Sequence, residues 1–260
     1  MMRNTKIDWC DSTWNPVSGC LHSCEYCYAR RIAERFGGYP SDEKLHELDV
    51  PQMISHRNDE GGWNPWYKCA YPFSFSPTFC RYKLDEPQKW KKPRNIFVCS
   101  MADLFGEWVP DEWIREVIAA CDAAPQHRYL FLTKNPARYM ELVANGIITK
   151  DQPNFWFGST ATTPEMPFFW HNELNTFVSI EPILAPFKDL TDDGIDPASK
   201  VKWIIVGAET GNRKNKVAPR KAWVDEIVRA AKKAGTPVFM KDSLRDLMGD
   251  GFRQEFPWEV

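Results

Sequence analysis

The chain has 260 residues, a formal net charge of −2 and a sequence pI of about 6.2. Hydrophobic residues make up 43% and charged residues 26%, which allows one large core and excludes a disordered or fibrous chain. Without a basic excess, the chain is ill suited to wrap an extended nucleic acid, because such affinity comes largely from neutralising phosphates. A small or nucleotide-sized substrate fits the balance better.

Residues 1–16, MMRNTKIDWCDSTWNP, lack the apolar core of a signal peptide. No stretch approaches the roughly 20 apolar residues of a membrane helix. The expectation is a cytoplasmic protein, away from membranes and in a reducing compartment. Eight cysteines there suggest metal or thiol chemistry before disulfides.

In chain order, one strand is expected before Cys20, followed by a cysteine-rich loop. Residues 38–95 carry prolines and many aromatics, among them Trp63, Trp66, Tyr67, Phe73 and Phe79, with no clear period. A long irregular segment of that kind reads as an ordered insert over a functional site. Six short apolar runs follow, at 96–100, 129–133, 155–159, 176–181, 201–207 and 237–241. Being rich in β-branched and aromatic residues, they read as strands buried on both faces of a parallel sheet. Helical spacing is visible at 111–124, 136–145 and 222–234, the last closed by Gly235. Alternating strands and helices imply βαβ units. The expected fold is α/β, a single domain over 1–260. It would be a (β/α) barrel, closed or nearly closed, of about six to seven parallel strands.

The chemistry concentrates in Gly19-Cys20-Leu21-His22-Ser23-Cys24-Glu25-Tyr26-Cys27, a Cys-x3-Cys-x2-Cys loop. Three thiolates on one loop can reach three irons of a cubane 4Fe-4S cluster and leave the fourth with an open position. An open coordination site is what separates a reactive metal centre from a closed structural one. A structural zinc held by these cysteines with His22 or Cys10 is the competing reading. Zinc sites usually add a second close pair of ligands, and Cys69 and Cys80 stand too far apart for that. Cys10, Cys69, Cys80, Cys99 and Cys121 read as ordinary buried or reduced thiols.

Cys-x3-Cys-x-aromatic-Cys resembles the signature of the radical S-adenosylmethionine (SAM) superfamily. Trp14-Asn15-Pro16, Ser100-Met101-Ala102-Asp103-Leu104-Phe105, Leu132-Thr133-Lys134, Ser179-Ile180-Glu181-Pro182 and the stretch from Trp203 to Gly211 extend the likeness. Together they are similar to a family first catalogued from bacteriophage proteins. The resemblance spans nearly the whole chain. Many relatives have a longer gap between the first two cysteines, so the Cys20–Cys24 spacing departs from them toward the general superfamily pattern.

The resemblance implies a radical SAM-type barrel with a 4Fe-4S cluster held by Cys20, Cys24 and Cys27, and SAM as cofactor. It places Tyr26 near the adenine, Ser100 and Asp103 by the SAM amino group, and Ser159 or Thr160 by the ribose. Lys134 would pair with the SAM carboxylate. An electron donor such as flavodoxin or ferredoxin is implied as a partner. The substrate would be nucleoside- or nucleotide-like, and the likeness extends to queuine lyase, which frees queuine from queuosine 5′-phosphate. The alternatives are base modification of nucleic acid for a phage, or a zinc- or cluster-binding protein without catalysis.

Polar residues at the ends of the expected strands supply further candidates, since α/β barrels work at the C-terminal face. Glu181, Glu209 and Lys241 follow apolar strands and are the catalytic candidates. A buried carboxylate needs a partner, which a ligand can provide. A Lys–Glu pair would instead be purely structural, and any Ser, Thr or Asp at a strand end is equally a helix cap. The basic loop from Gly211 to Lys216 suits one phosphate, although a solvated charged loop is the commoner outcome.

Overall fold

The computed structural model describes residues 5–55, 57, 61–187 and 196–259. Residues 1–4 of the opening segment, and residues 56 and 58–60 of the insert, lie outside them. The strands in chain order begin with β1 (Ser12–Trp14), β2 (Val17–Ser18), β3 (His46–Leu48), β4 (Met53–Ile54), β5 (Tyr67–Lys68) and β6 (Thr78–Cys80). They continue with β7 (Asn95–Val98), β8 (Arg128–Thr133), β9 (Phe155–Thr160), β10 (Asn175–Ile180), β11 (Trp203–Val206) and β12 (Val238–Met240). The helices are α1 (Tyr28–Arg35), α2 (Asp111–Asp122), α3 (Pro136–Ala144), α4 (Pro197–Lys200), α5 (Lys221–Ala234) and α6 (Arg245–Met248).

The class is α/β. Seven strands form the main sheet in the order β1-β7-β8-β9-β10-β11-β12, and the registers from β7 to β12 are parallel. The expected closure is not found. The sheet is open, with β1 and β12 at its edges. At β12 the reason is visible, because residues 253–255 occupy the position a closing strand would need. Met240 N–H donates to Arg253 O at 2.9 Å, Glu255 N–H donates to Val238 O at 3.1 Å, and Phe239 bridges Gln254 in antiparallel sense.

The chain divides into two compact units. The first comprises Met1–Ser12, Arg94–Phe97 and Arg128–Val260. Its strands β9, β11 and β12 are buried along their whole length, as a sheet covered on both faces requires. One face gathers Trp9, Phe97, Leu130, Trp156, Phe177, Trp203 and Phe239, with Phe256 and Trp258 packed against them. The other gathers Val178, Ile180, Ile204, Val206 and Met240 with Val224, Ile227 and Ala231 of α5. Each fully buried side chain of this size contributes about 1.5–3 kcal/mol of transfer free energy. Gly158 is required in β9 because Phe177 of β10 lies against it, and a Cβ there would come within 2.2 Å of that ring. Helix α5 ends where Gly235 takes the left-handed conformation, φ 74°. Between β9 and β10 the crossover, residues 161–174, contains no helix.

The second unit comprises Thr13–Pro93 and Val98–His127. It contains α1, α2 and the short strands of the insert. Strands β2, β6 and β3 form a three-stranded sheet, and β4 and β5 form an antiparallel pair. Arg81 ties the insert together, donating to Glu47 at 2.6 Å and to both oxygens of Glu116 at 3.1 and 3.0 Å. In the loop between β4 and β5, Trp63 and Trp66 remain 65% and 68% exposed, unlike the buried Phe75 and Phe79.

Candidate functional site

The cysteine loop belongs to the second unit. It starts at Gly19, whose φ of 84° suits glycine, and Gly19 N–H donates to Met101 O at 2.9 Å. Cys20 N–H donates to Phe75 O at 3.1 Å, fixing where the loop leaves the fold. Cys27 caps α1, and its Sγ accepts from Arg30 N–H at 3.3 Å. That sulfur therefore faces the positive end of the helix dipole.

All eight cysteines are thiols outside disulfides, and they fall into two groups. Cys20, Cys24 and Cys27 are partly exposed, whereas Cys10, Cys69, Cys80, Cys99 and Cys121 are buried. Burial pushes the Cys99 thiol up to about 12 and the Cys121 thiol well above its ordinary value. Cys69 and Cys80 are raised for the same reason. A buried neutral thiol is a poor metal ligand, since the thiolate is the ligating form. The partly exposed trio is the set whose donor chemistry fits an iron–sulfur group.

Among the described residues, no group of three or more His, Cys, Asp and Glu side chains is arranged to hold a single metal ion. A cubane makes a different demand, because its thiolates each bind a separate iron and need not converge on one point. The fourth donors considered for zinc are otherwise engaged. His22 Nε2 lies 2.9 Å from Asp103 Oδ2. Cys10 is buried with its Sγ 3.9 Å from Ile7 O.

The sequence candidates of this unit collect around the loop. Tyr26 is partly exposed within it. Ser100 donates through Oγ to Asn15 Oδ1 at 3.1 Å, and its carbonyl accepts from Tyr28 OH at 2.7 Å. Asp103 is 5% exposed, and its Oδ1 accepts from Phe105 N–H at 3.1 Å. Sequence reasoning passed over Asn15, Tyr28 and Arg30 as individual contributors. Only Asn15 carried a signal, through its place in Trp14-Asn15-Pro16.

The remaining candidates belong to the first unit. Glu181, Gly207 and Lys241 follow β10, β11 and β12, which are neighbours. Lys241 Nζ donates to Glu181 Oε1, and both side chains are about one fifth exposed, at 19% and 24%. Gly207 leaves room for them. Glu209 found its partner inside the protein. Arg213 donates through Nε to Oε1 at 2.7 Å and through Nη2 to Oε2 at 2.8 Å. These bonds hold the Glu209 carboxyl below its usual value, against the opposing effect of burial. The basic loop from Gly211 to Lys216 thus commits one of its cations to a carboxylate.

Ser159 is fully buried, and its Oγ accepts from Phe169 N–H at 2.9 Å. Thr160 is buried beside it at 3%. Lys134 lines a cleft of about 850 Å³ with Asn135, Met140, Phe168, Trp170 and His171. Phe169 lines the same cleft, so Ser159 shapes that wall from behind.

The family model described as "Protein of unknown function (DUF5131)" matches residues 4–245. No curated protein and no solved structure matches the chain. Among the described residues, no helix is long and apolar enough to cross a membrane.

Proposed function

The chain belongs to the DUF5131 family, whose description assigns no activity, and we propose from its cysteine loop that it is a radical SAM enzyme. The observation that carries this reading is the partition of the cysteines. Three partly exposed thiols share one loop at the start of α1, while the other five are buried. Under the reading, Cys20, Cys24 and Cys27 hold a 4Fe-4S cluster, and the open α/β sheet is a variant of the superfamily barrel.

Held by Cys20, Cys24 and Cys27, such a cluster would supply one electron, taken from an external reductant, for cleavage of SAM into methionine and a 5′-deoxyadenosyl radical. The chain's own groups bind and orient. Tyr26 offers a ring beside the loop, and Ser100 offers a hydroxyl whose position Asn15 fixes. In the first unit, the Glu181–Lys241 pair supplies a carboxylate and an ammonium just past β10 and β12, the strands on either side of β11. Such a pair can hold a polar substrate group or move a proton. The substrate we propose is a nucleoside- or nucleotide-like molecule, with queuosine 5′-phosphate as the compound to try first. The absence of a basic excess supports a substrate of that size over a long nucleic acid.

Anaerobic reconstitution with iron and sulfide tests the reading. The expected result is a brown protein with about four irons per chain that forms 5′-deoxyadenosine from SAM and a reductant. A colourless zinc protein would overturn it. If SAM is cleaved but no queuine is released from queuosine 5′-phosphate, the substrate assignment alone falls.

A further inference from the structure

We propose that His22 and Arg30 are positioning residues that hold the cysteine loop in the shape cluster binding needs, with Asp103 as the anchor for His22. The inference rests on the radical SAM reading and deepens it. A carboxylate only accepts hydrogen bonds, so the 2.9 Å contact between His22 Nε2 and Asp103 Oδ2 requires the imidazole to donate. Asp103 is itself immobilised, because it is buried and takes Phe105 N–H on its other oxygen. Trp108 meets the imidazole edge-on with ring centroids 4.9 Å apart. The residue midway between Cys20 and Cys24 is therefore pinned to a fixed wall.

Arg30 holds the same stretch through the backbone. Its Nη2 donates to Cys20 O at 3.4 Å and to His22 O at 3.2 Å. The guanidinium lies 4.8 Å over the Phe75 ring, and Phe75 is also the residue whose carbonyl accepts from Cys20 N–H. One aromatic residue thus supports both the start of the loop and the side chain that clamps it. A loop ordered before metal arrives loses less chain entropy on binding, and partners behind metal ligands typically govern affinity for that reason. This gives Asp103 a task other than contact with the SAM amino group.

The test uses the full chain, first without metal and then reconstituted. Because Asp103 is buried, its replacement risks unfolding, whereas His22 and Arg30 are only partly buried. Hydrogen exchange of residues 20–27 in the metal-free chain should quicken in His22→Ala and Arg30→Ala. Iron retention against a chelator should weaken about ten- to hundredfold, with a changed electron paramagnetic resonance spectrum of the reduced cluster. His22→Gln should restore both, since its amide N–H replaces Nε2–H toward Asp103. Wild-type exchange and iron retention in both alanine variants would overturn the proposal, as would failure of His22→Gln to differ from His22→Ala. If the wild type takes up no iron, the radical SAM reading fails, and the exchange measurement still decides whether these residues clamp the loop.

Discussion

Gly19 lies directly against the backbone of Ser76: a Cβ on Gly19 would stand 2.1 Å from the Ser76 carbonyl oxygen. Its φ of 84° adds a second obstacle to any other residue. Gly19→Ala should therefore destabilise the chain by at least roughly 1–3 kcal/mol from backbone conformation alone. Because Cys20 is the next residue, iron uptake should fall as well. Urea unfolding and iron content measure the two effects, and an unchanged midpoint would contradict this packing.

The two groups of cysteines should separate by chemistry. Replacing Cys20, Cys24 or Cys27 with Ala should abolish iron uptake and SAM cleavage, with little loss of stability at the partly exposed Cys24 and about 0.5–2 kcal/mol at Cys27, whose sulfur caps α1. Cys121→Ala should leave cleavage nearly untouched. In the metal-free chain at about pH 8, iodoacetamide should label the loop thiols well before Cys99 and Cys121, whose burial keeps them protonated. Peptide mapping reads the order of labelling. Early modification of Cys121 would show that the division is misplaced.

Glu209 should leave a mark on acid stability. Its carboxyl is depressed below 4.5, so the folded chain gives up this proton more readily than the unfolded chain. The stabilisation is fully present above that unfolded value and is lost as pH falls through the lower folded one. Arg213→Met should cost about 1.5–3 kcal/mol at neutral pH, where a buried carboxylate loses two charge-assisted bonds. It should also flatten the decline below pH 4.5 relative to the wild type. Denaturant midpoints across that range provide the comparison, and parallel curves would refute the assignment.

A methyl group at Gly207 would lie 2.9 Å from Lys241 Cδ and 3.1 Å from Glu181 Cγ. Both neighbours are flexible side chains, so Gly207→Ala should shift stability by less than about 1 kcal/mol while forcing the ion pair apart. If the pair serves the substrate, product formation should drop at least about tenfold, as it should in Lys241→Met. Iron content should stay at the wild-type level in both. A full rate in Lys241→Met would make the pair purely structural.

The strands were legible because burial on two faces leaves runs such as Phe155-Trp156-Phe157 that little else explains. Helices α2, α3 and α5 were legible from their apolar spacing. Closure was not, since Gln254 pairing with Phe239 is a contact between residues with no shared motif. The helix-free crossover after β9 also left no pattern, because Ser159 anchors it through a single bond to Phe169. At the site, the cysteines announced themselves by spacing. The partner of His22 did not, lying 81 residues away, and the Lys–Glu pair was foreseen without the sequence singling out Glu181 as its acid. For Glu209 the sequence suggested a ligand as partner, and it read the basic loop as most often solvated, whereas Arg213 of that loop binds the carboxylate.

The indoles of Trp63 and Trp66, 65% and 68% exposed, stand apart from the fully shielded tryptophans. Trp9, Trp14, Trp113 and Trp203 are shielded and should emit to the blue, out of reach of iodide. The pair between β4 and β5 should emit to the red and be quenched readily. Any molecule that settles over that loop would then report its own arrival by light, without a label being attached.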